Sequence, residues 1–186
     1  LDEEEQSRML DKQEKLAGDA AKMTAYLDNS QTETEKLIEK GEGEDVEFKS
    51  TFKRNLHTQK SDKAIETAAL KEIAGFLNSR GGHLIIGVSD DGKILGLSHD
   101  VFSSEDRYMT HISHQIRVRI GPDFGEHLKY HFDSYQKESV LRIQCAQLPR
   151  SETAFLDGEL YVRNAAQTIK LSTKEAMEWR RKRDVS

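Results

Sequence analysis

The chain has 186 residues, a formal net charge of -5 and a mean hydropathy of -0.74, with 33% of its residues charged. That length suits one domain with a real core plus an appendage. No apolar run is long enough to cross a bilayer and no secretory-signal pattern is present, so no membrane contact is expected from this segment.

The chain begins at Leu1, which reads as a piece of a longer protein. One cysteine, Cys145, allows no internal disulfide, and no zinc-type Cys/His cluster exists; a reducing, cytoplasmic compartment is expected. Charge is unevenly placed. Residues 1–47 hold six Lys/Arg against fifteen Asp/Glu, and the remainder holds 22 against 18. A mildly basic globular part behind an acidic leader is compatible with a nucleic-acid partner.

Residues 1–27 read as a helix. Met9, Gln13, Leu16, Ala20, Met23 and Leu27 alternate spacings of four and three, a thin heptad seam interrupted by Gly18. The seam suits either a short oligomerising coiled coil or an exposed helix. Thr32 with Glu35 matches a capping box, which starts a short helix to about Lys40, and Gly41 and Gly43 end it. Val46 and Phe48 then alternate with Glu47 and Lys49, a strand pattern.

Residues 62–79 carry an apolar stripe of Ile65, Ala69, Ile73, Phe76 and Leu77, which predicts a helix stopped by Gly81–Gly82. "HLIIGVSDDGKILGL" then reads as a hairpin turned at Asp91–Gly92. A second amphipathic helix is predicted over 105–120, followed by an antiparallel pair in "HLKYHFDSY" and "SVLRIQCAQL". Another hairpin turns at Asp157–Gly158, and a last helix starts at Ser172–Thr173 and ends in the basic run Arg180–Arg183. The fold class is α+β: a mostly antiparallel sheet with covering helices, preceded by an N-terminal helix. The expected division is a leader over 1–31, a domain over 32–175 and a basic tail over 176–186.

The segment "GEGEDVEFKSTFKRN" carries the chemistry. Glu42, Glu44, Asp45 and Glu47 fall within six positions, and Lys49, Lys53 and Arg54 follow directly. Carboxylates from separate elements can hold a hard divalent cation, and an adjacent lysine can neutralise a phosphate. On a strand, Glu47 and Lys49 share a face; Asp45 shares it too, while Glu42 must reach it from the turn. The alternative is a solvated turn in which Lys49 pairs with a neighbouring carboxylate. Lys53, Arg54, Lys60 and Lys63 suit a phosphate track, or else a polar loop. His111 and His114 have metal-binding spacing but no evident third ligand. No Walker loop is present, so no nucleotide cofactor is expected.

At "GEGEDVEFKS", "ALKEIAGFLNSRGGHLIIGVSDDGKILGL" and "ELYVRNAAQTIKLS" the chain resembles the Schlafen AlbA-like domain family, over about residues 32–175. Members of that family include DNA-binding modules of regulators and metal-dependent endoribonucleases acting on tRNA and rRNA. The resemblance implies a catalytic set of Glu42, Glu47 and an aspartate, Asp90 or, one residue away, Asp91. Lys49 would assist at the phosphate, Mn²⁺ or Mg²⁺ would be the cofactor, and Arg163 would contact a nucleic-acid backbone or else form a salt bridge across strands. The nuclease-active relatives carry two such lobes and this chain carries one, so a shared groove implies a homo-oligomer, dimer or higher.

Overall fold

A computed structural model describes residues 3–185, apart from some side chains near the two ends. Two compact units result, one ending at Lys36 and the other starting at Leu37. The first unit holds helix α1 (Glu3–Ser30), which runs unbroken through Gly18. Its seam residues Met9, Gln13, Leu16 and Ala20 are all exposed, while the side chains of Met23 and Leu27 lie outside the described ones. Helix α2 (Glu33–Lys40) starts at a reciprocal cap: Thr32 N–H donates to Glu35 Oε2 at 2.8 Å and Glu35 N–H to Thr32 Oγ1 at 3.2 Å.

The second unit is built on a four-stranded sheet. Strand β1 (Val46–Lys49) is separated from its neighbour β4 (Gly82–Ile86) by the short ribbon β2 (Arg54–Asn55) and β3 (Lys60–Ser61) and by helix α3 (Lys63–Asn78). Helix α4 (Glu105–Arg119) leads to β5 (Leu128–Tyr135) and β6 (Glu138–Cys145). The order is β1-β4-β6-β5, with β1 parallel to β4 and the other two pairings antiparallel. A three-stranded sheet of β7 (Phe155–Leu156), β8 (Glu159–Asn164) and β9 (Gln167–Lys170) precedes helix α5 (Thr173–Val185).

The fold is α+β, as the sequence patterns require. Asp62 caps α3 by accepting the Ala64 N–H at 2.9 Å. The apolar face of α3 joins Leu84, Ile86, Leu141 and Ile143 on one side of the sheet. Leu37, Ile38, Val46 and Phe48 meet Ile85, Val88 and Val140 on the other. Cys145 is buried as a small apolar group, and its burial pushes the thiol's pKa up. Among the described residues no helix is long and apolar enough to cross a membrane.

One expected element differs. The "GVSDDGKILGL" return strand is reduced to a single bridge, Val88 to Ile94. Gly87 and Gly96 both take positive φ, and the Leu95 and Gly96 N–H groups both donate to the Gly87 carbonyl. The chain therefore folds into a tight loop where a ladder would need extended backbone.

Candidate functional site

Period-two alternation in β1 buries Val46 and Phe48 and turns Glu47 and Lys49 to the other face. There Lys49 Nζ meets Glu47 Oε1 at 2.6 Å and the Phe48 carbonyl at 3.0 Å. The second Glu47 oxygen takes Arg163 Nη1 at 2.9 Å. Glu42 folds back over the strand, its Oε1 accepting the Phe48 N–H at 2.8 Å. The Lys49 carbonyl accepts the N–H groups of Gly87 and Val88, which brings the following turn, with Asp90, to the end of β1. Loss of solvation raises the Glu42 pKa, and the charges of Glu47 and Asp90 push it further up, against the Phe48 N–H and Lys49. Glu42, Glu47, Asp90 and Lys49 thus share one electrostatic environment, drawn from three segments.

The near alternative, Asp91, is engaged in its own turn, where its carboxylate accepts the Ser89 hydroxyl. That bond holds its pKa below the usual carboxylate range. Asp45 does not join Glu47. Both its oxygens lie 2.8 Å from Lys40 Nζ, and this pairing lowers its pKa.

The four carboxylates of residues 42–47 therefore have separate partners: Glu42 the Phe48 N–H, Glu47 the cations Lys49 and Arg163, Asp45 Lys40, and Glu44 Arg80 at 2.9 Å. The residues present do not fit a resident divalent ion as they stand. Among the described residues no three His, Cys, Asp or Glu side chains are grouped to hold a metal, and both Glu47 oxygens are committed to cations. His111 Nε2 is instead 2.7 Å from Glu66 Oε2.

Arg163 takes the salt-bridge alternative. Its side chain is 2% exposed and faces inward. Nη1 donates to Glu47 and, at 3.0 Å, to Glu72 Oε2 on α3. Nη2 donates to the carbonyls of Gly43 at 2.6 Å and Val46 at 3.3 Å. Arg163 is a positioning residue: it ties β8, α3 and the acidic turn together and fixes one oxygen of Glu47. Glu72 escaped the sequence reading, although it falls three residues after Ala69 and four before Phe76 on the apolar face of α3. A carboxylate on a buried stripe signals a buried cation partner.

The expected phosphate track is only partly available. Lys53 Nζ sits 3.9 Å over the Phe102 ring, and Arg54 is half-buried, its Nε without a hydrogen-bond partner among the described residues. Lys60 and Lys63 are exposed. The loop that carries them is pinned by Asp100, a buried carboxylate that accepts the N–H groups of Phe52, Lys53 and Arg54 and the Tyr108 hydroxyl. Asn78, expected to end α3, also cross-links it to the small sheet. Its side chain donates to the Ala154 and Tyr161 carbonyls and accepts the Ala154 N–H.

An α+β domain with an acidic strand edge, a buried arginine behind it and a glycine-turn loop beside it defines the class of protein. The family model described as Schlafen, AlbA_2 matches residues 42–172, and the chain belongs to that family. Membership makes it a nucleic-acid-related domain. Among solved structures, the chain is similar to the DIP2311 protein from Corynebacterium diphtheriae, with 22% identity and a TM-score of 0.54. That match covers 74% of this chain and 27% of the other, and it shows a shared fold. No curated protein matches the chain.

Proposed function

We propose that the chain is a nucleic-acid-processing domain, an endoribonuclease of the Schlafen type acting on structured RNA such as tRNA or rRNA. Glu42, Glu47, Asp90 and Lys49 form its reacting corner. The observation that supports this reading is the Lys49–Glu47 pair at the end of β1, beside a Glu42 carboxyl on which the charges of Glu47, Asp90 and Lys49 all act. Lys49 would neutralise the phosphate being cut, and a carboxylate would take the proton of the attacking hydroxyl. Mn²⁺ or Mg²⁺ is the cofactor the family resemblance implies. Its entry would require Glu47 to release Lys49 or Arg163. A groove shared between two such lobes would make the active form a homodimer or higher, measurable by light scattering.

The test is cleavage of end-labelled tRNA by the purified chain with Mn²⁺ and with EDTA, comparing Asp90→Asn with Asp91→Asn. Cleavage lost in the first variant and kept in the second supports the corner; equal cleavage in both removes Asp90 from it. A second reading, a DNA- or RNA-binding module without chemistry, is favoured by one observation: Glu47 is already neutralised by two cations. RNA shifted on a gel with no cleavage under any ion supports that reading.

A further inference from the structure

A concentration of positive charge lies away from the reacting corner. A groove of about 690 Å³ runs between the C-terminal end of α3, β8–β9 and α5. Arg80, Arg150, Arg163, Lys182 and Arg183 line it, with Trp179, and no carboxylate does. In a chain of net charge -5, a groove with five cations and no carboxylate in its lining is locally basic, although Arg163 and Arg80 are paired from outside it with Glu47, Glu72 and Glu44.

The groove is a built feature. Arg183 Nη1 donates to the Asn78 carbonyl at 3.2 Å, and Nη2 to the Leu148 and Pro149 carbonyls, both at 3.0 Å. Its guanidinium also stacks 4.7 Å from the Trp179 ring. These bonds fasten α5 as one wall. Arg163 is turned inward and serves as fixed floor charge. Arg80, Arg150 and Lys182 are exposed and face the solvent side. Arg80 also reaches Glu44, an exposed pair of the kind worth about 0–1 kcal/mol, which an incoming phosphate can displace.

A smaller neighbouring groove shares Ser79, Arg80, Arg163 and Asn164 with this one and is also lined by Glu44. The two lead from α5 to the acidic turn, where Arg163 holds Glu47. Cations beside a partly exposed tryptophan suit a single strand, whose phosphates follow the charge while a base covers an aromatic edge. We propose that this groove binds the single-stranded nucleic-acid segment flanking the reacting corner, with Arg80, Arg150 and Lys182 as its phosphate contacts. The proposal rests on the nucleic-acid reading above but not on cleavage.

The test is fluorescence anisotropy of a labelled oligouridylate of about twelve nucleotides, titrated with the full chain in EDTA across a salt series. Each phosphate contact to a single strand contributes about 0.7 to the slope of log affinity against log salt. Arg80→Glu/Arg150→Glu/Lys182→Glu is expected to bind at least about tenfold more weakly, with a slope shallower by about two. Arg117→Glu/Lys129→Glu/Lys137→Glu makes the same charge change elsewhere and is expected to lose under about threefold. Arg150→Glu/Lys182→Glu leaves the Arg80–Glu44 pair in place and guards against a folding effect, read by thermal melting. Wild-type affinity in the groove variants, equal loss in the control, or no salt-sensitive binding by the wild type overturns the proposal. Because EDTA separates binding from metal-dependent cutting, an inactive chain that binds through the groove sinks only the nuclease reading. An active chain whose groove variant binds normally sinks only the groove.

Discussion

Replacing Arg163 with methionine isolates what the buried guanidinium does. Methionine keeps an apolar stem of similar length over the Phe76 ring, which lies 4.8 Å from the guanidinium carbon. It removes the charge and every donor. Glu72, with a side chain 5% exposed, then loses its buried cation and keeps Lys71 at 3.4 Å and the Thr168 hydroxyl, and Glu47 at 14% keeps only Lys49. Removing one member of a buried pair costs about 3–5 kcal/mol. The surviving Lys49 contact argues for the lower end, about 3 kcal/mol. With a urea m-value of about 2 kcal/mol/M, the midpoint should fall by about 1.5 M at unchanged m. The same loss is roughly 6–12 °C in Tm for a unit of this size.

The assay is urea unfolding followed by circular dichroism, with Glu72→Gln as a second arm. In the wild-type background Glu72→Gln should destabilise, because it weakens the Arg163 pair. In the Arg163→Met background it should restore at least about 1 kcal/mol, because it removes a buried charge left with only the more exposed Lys71 as its cation. A midpoint shift under about 0.5 M, or the same sign for Glu72→Gln in both backgrounds, would refute the reasoning.

Two other predictions follow from the same geometry. Asp100→Ala strands three backbone donors and a tyrosine hydroxyl, at about 1–3 kcal/mol for each group that water cannot reach; a Tm drop above about 6 °C is expected by calorimetry, and an unchanged melt would contradict the pinning role. Glu42→Gln removes a carboxyl whose folded pKa lies above its unfolded value. A group of that kind binds more protons in the fold, so its effect on stability worsens as pH rises from its ordinary range through the raised value. The variant should therefore gain relative to wild type at pH 7–8 and lose that gain near pH 4, measured by urea midpoints at both pH values; a difference that does not change with pH would contradict it.

Periodicity made most of the framework legible. The apolar stripes of 62–79 and 105–120 predict α3 and α4 to within a residue or two, and alternation identifies β1, β5 and β6. What the sequence hid is set by contacts far apart in the chain. The arginine of "YVRN" leaves a backbone contact and a salt bridge both open, because nothing local shows that Glu47, 116 positions earlier, and Glu72 close over it. Asn78 reads as a helix stop because its partners Ala154 and Tyr161 lie 76 and 83 positions further on. The "KILGL" segment reads as a strand because apolar residues look alike whether or not they pair; the paired positive-φ glycines, Gly87 and Gly96, decide against it. The acidic corner is a mixed case. Glu42, Glu47 and Lys49 lie close in sequence, so the strand alternation at 46–49 relates them, whereas Asp90 comes near only because β4 pairs beside β1 and its following turn bonds the Lys49 carbonyl.

The most direct measurement is the single-turnover rate of tRNA cleavage by the wild type and by Glu47→Gln, with enzyme in excess so that binding is saturated. Glutamine keeps the shape of Glu47 and removes its charge and proton-accepting oxygen. The account predicts a rate at least about a hundredfold lower in the variant, the scale of a lost acid–base group, with RNA affinity within about threefold of wild type. Equal rates in the two proteins would place the chemistry elsewhere and contradict the assignment of the reacting corner.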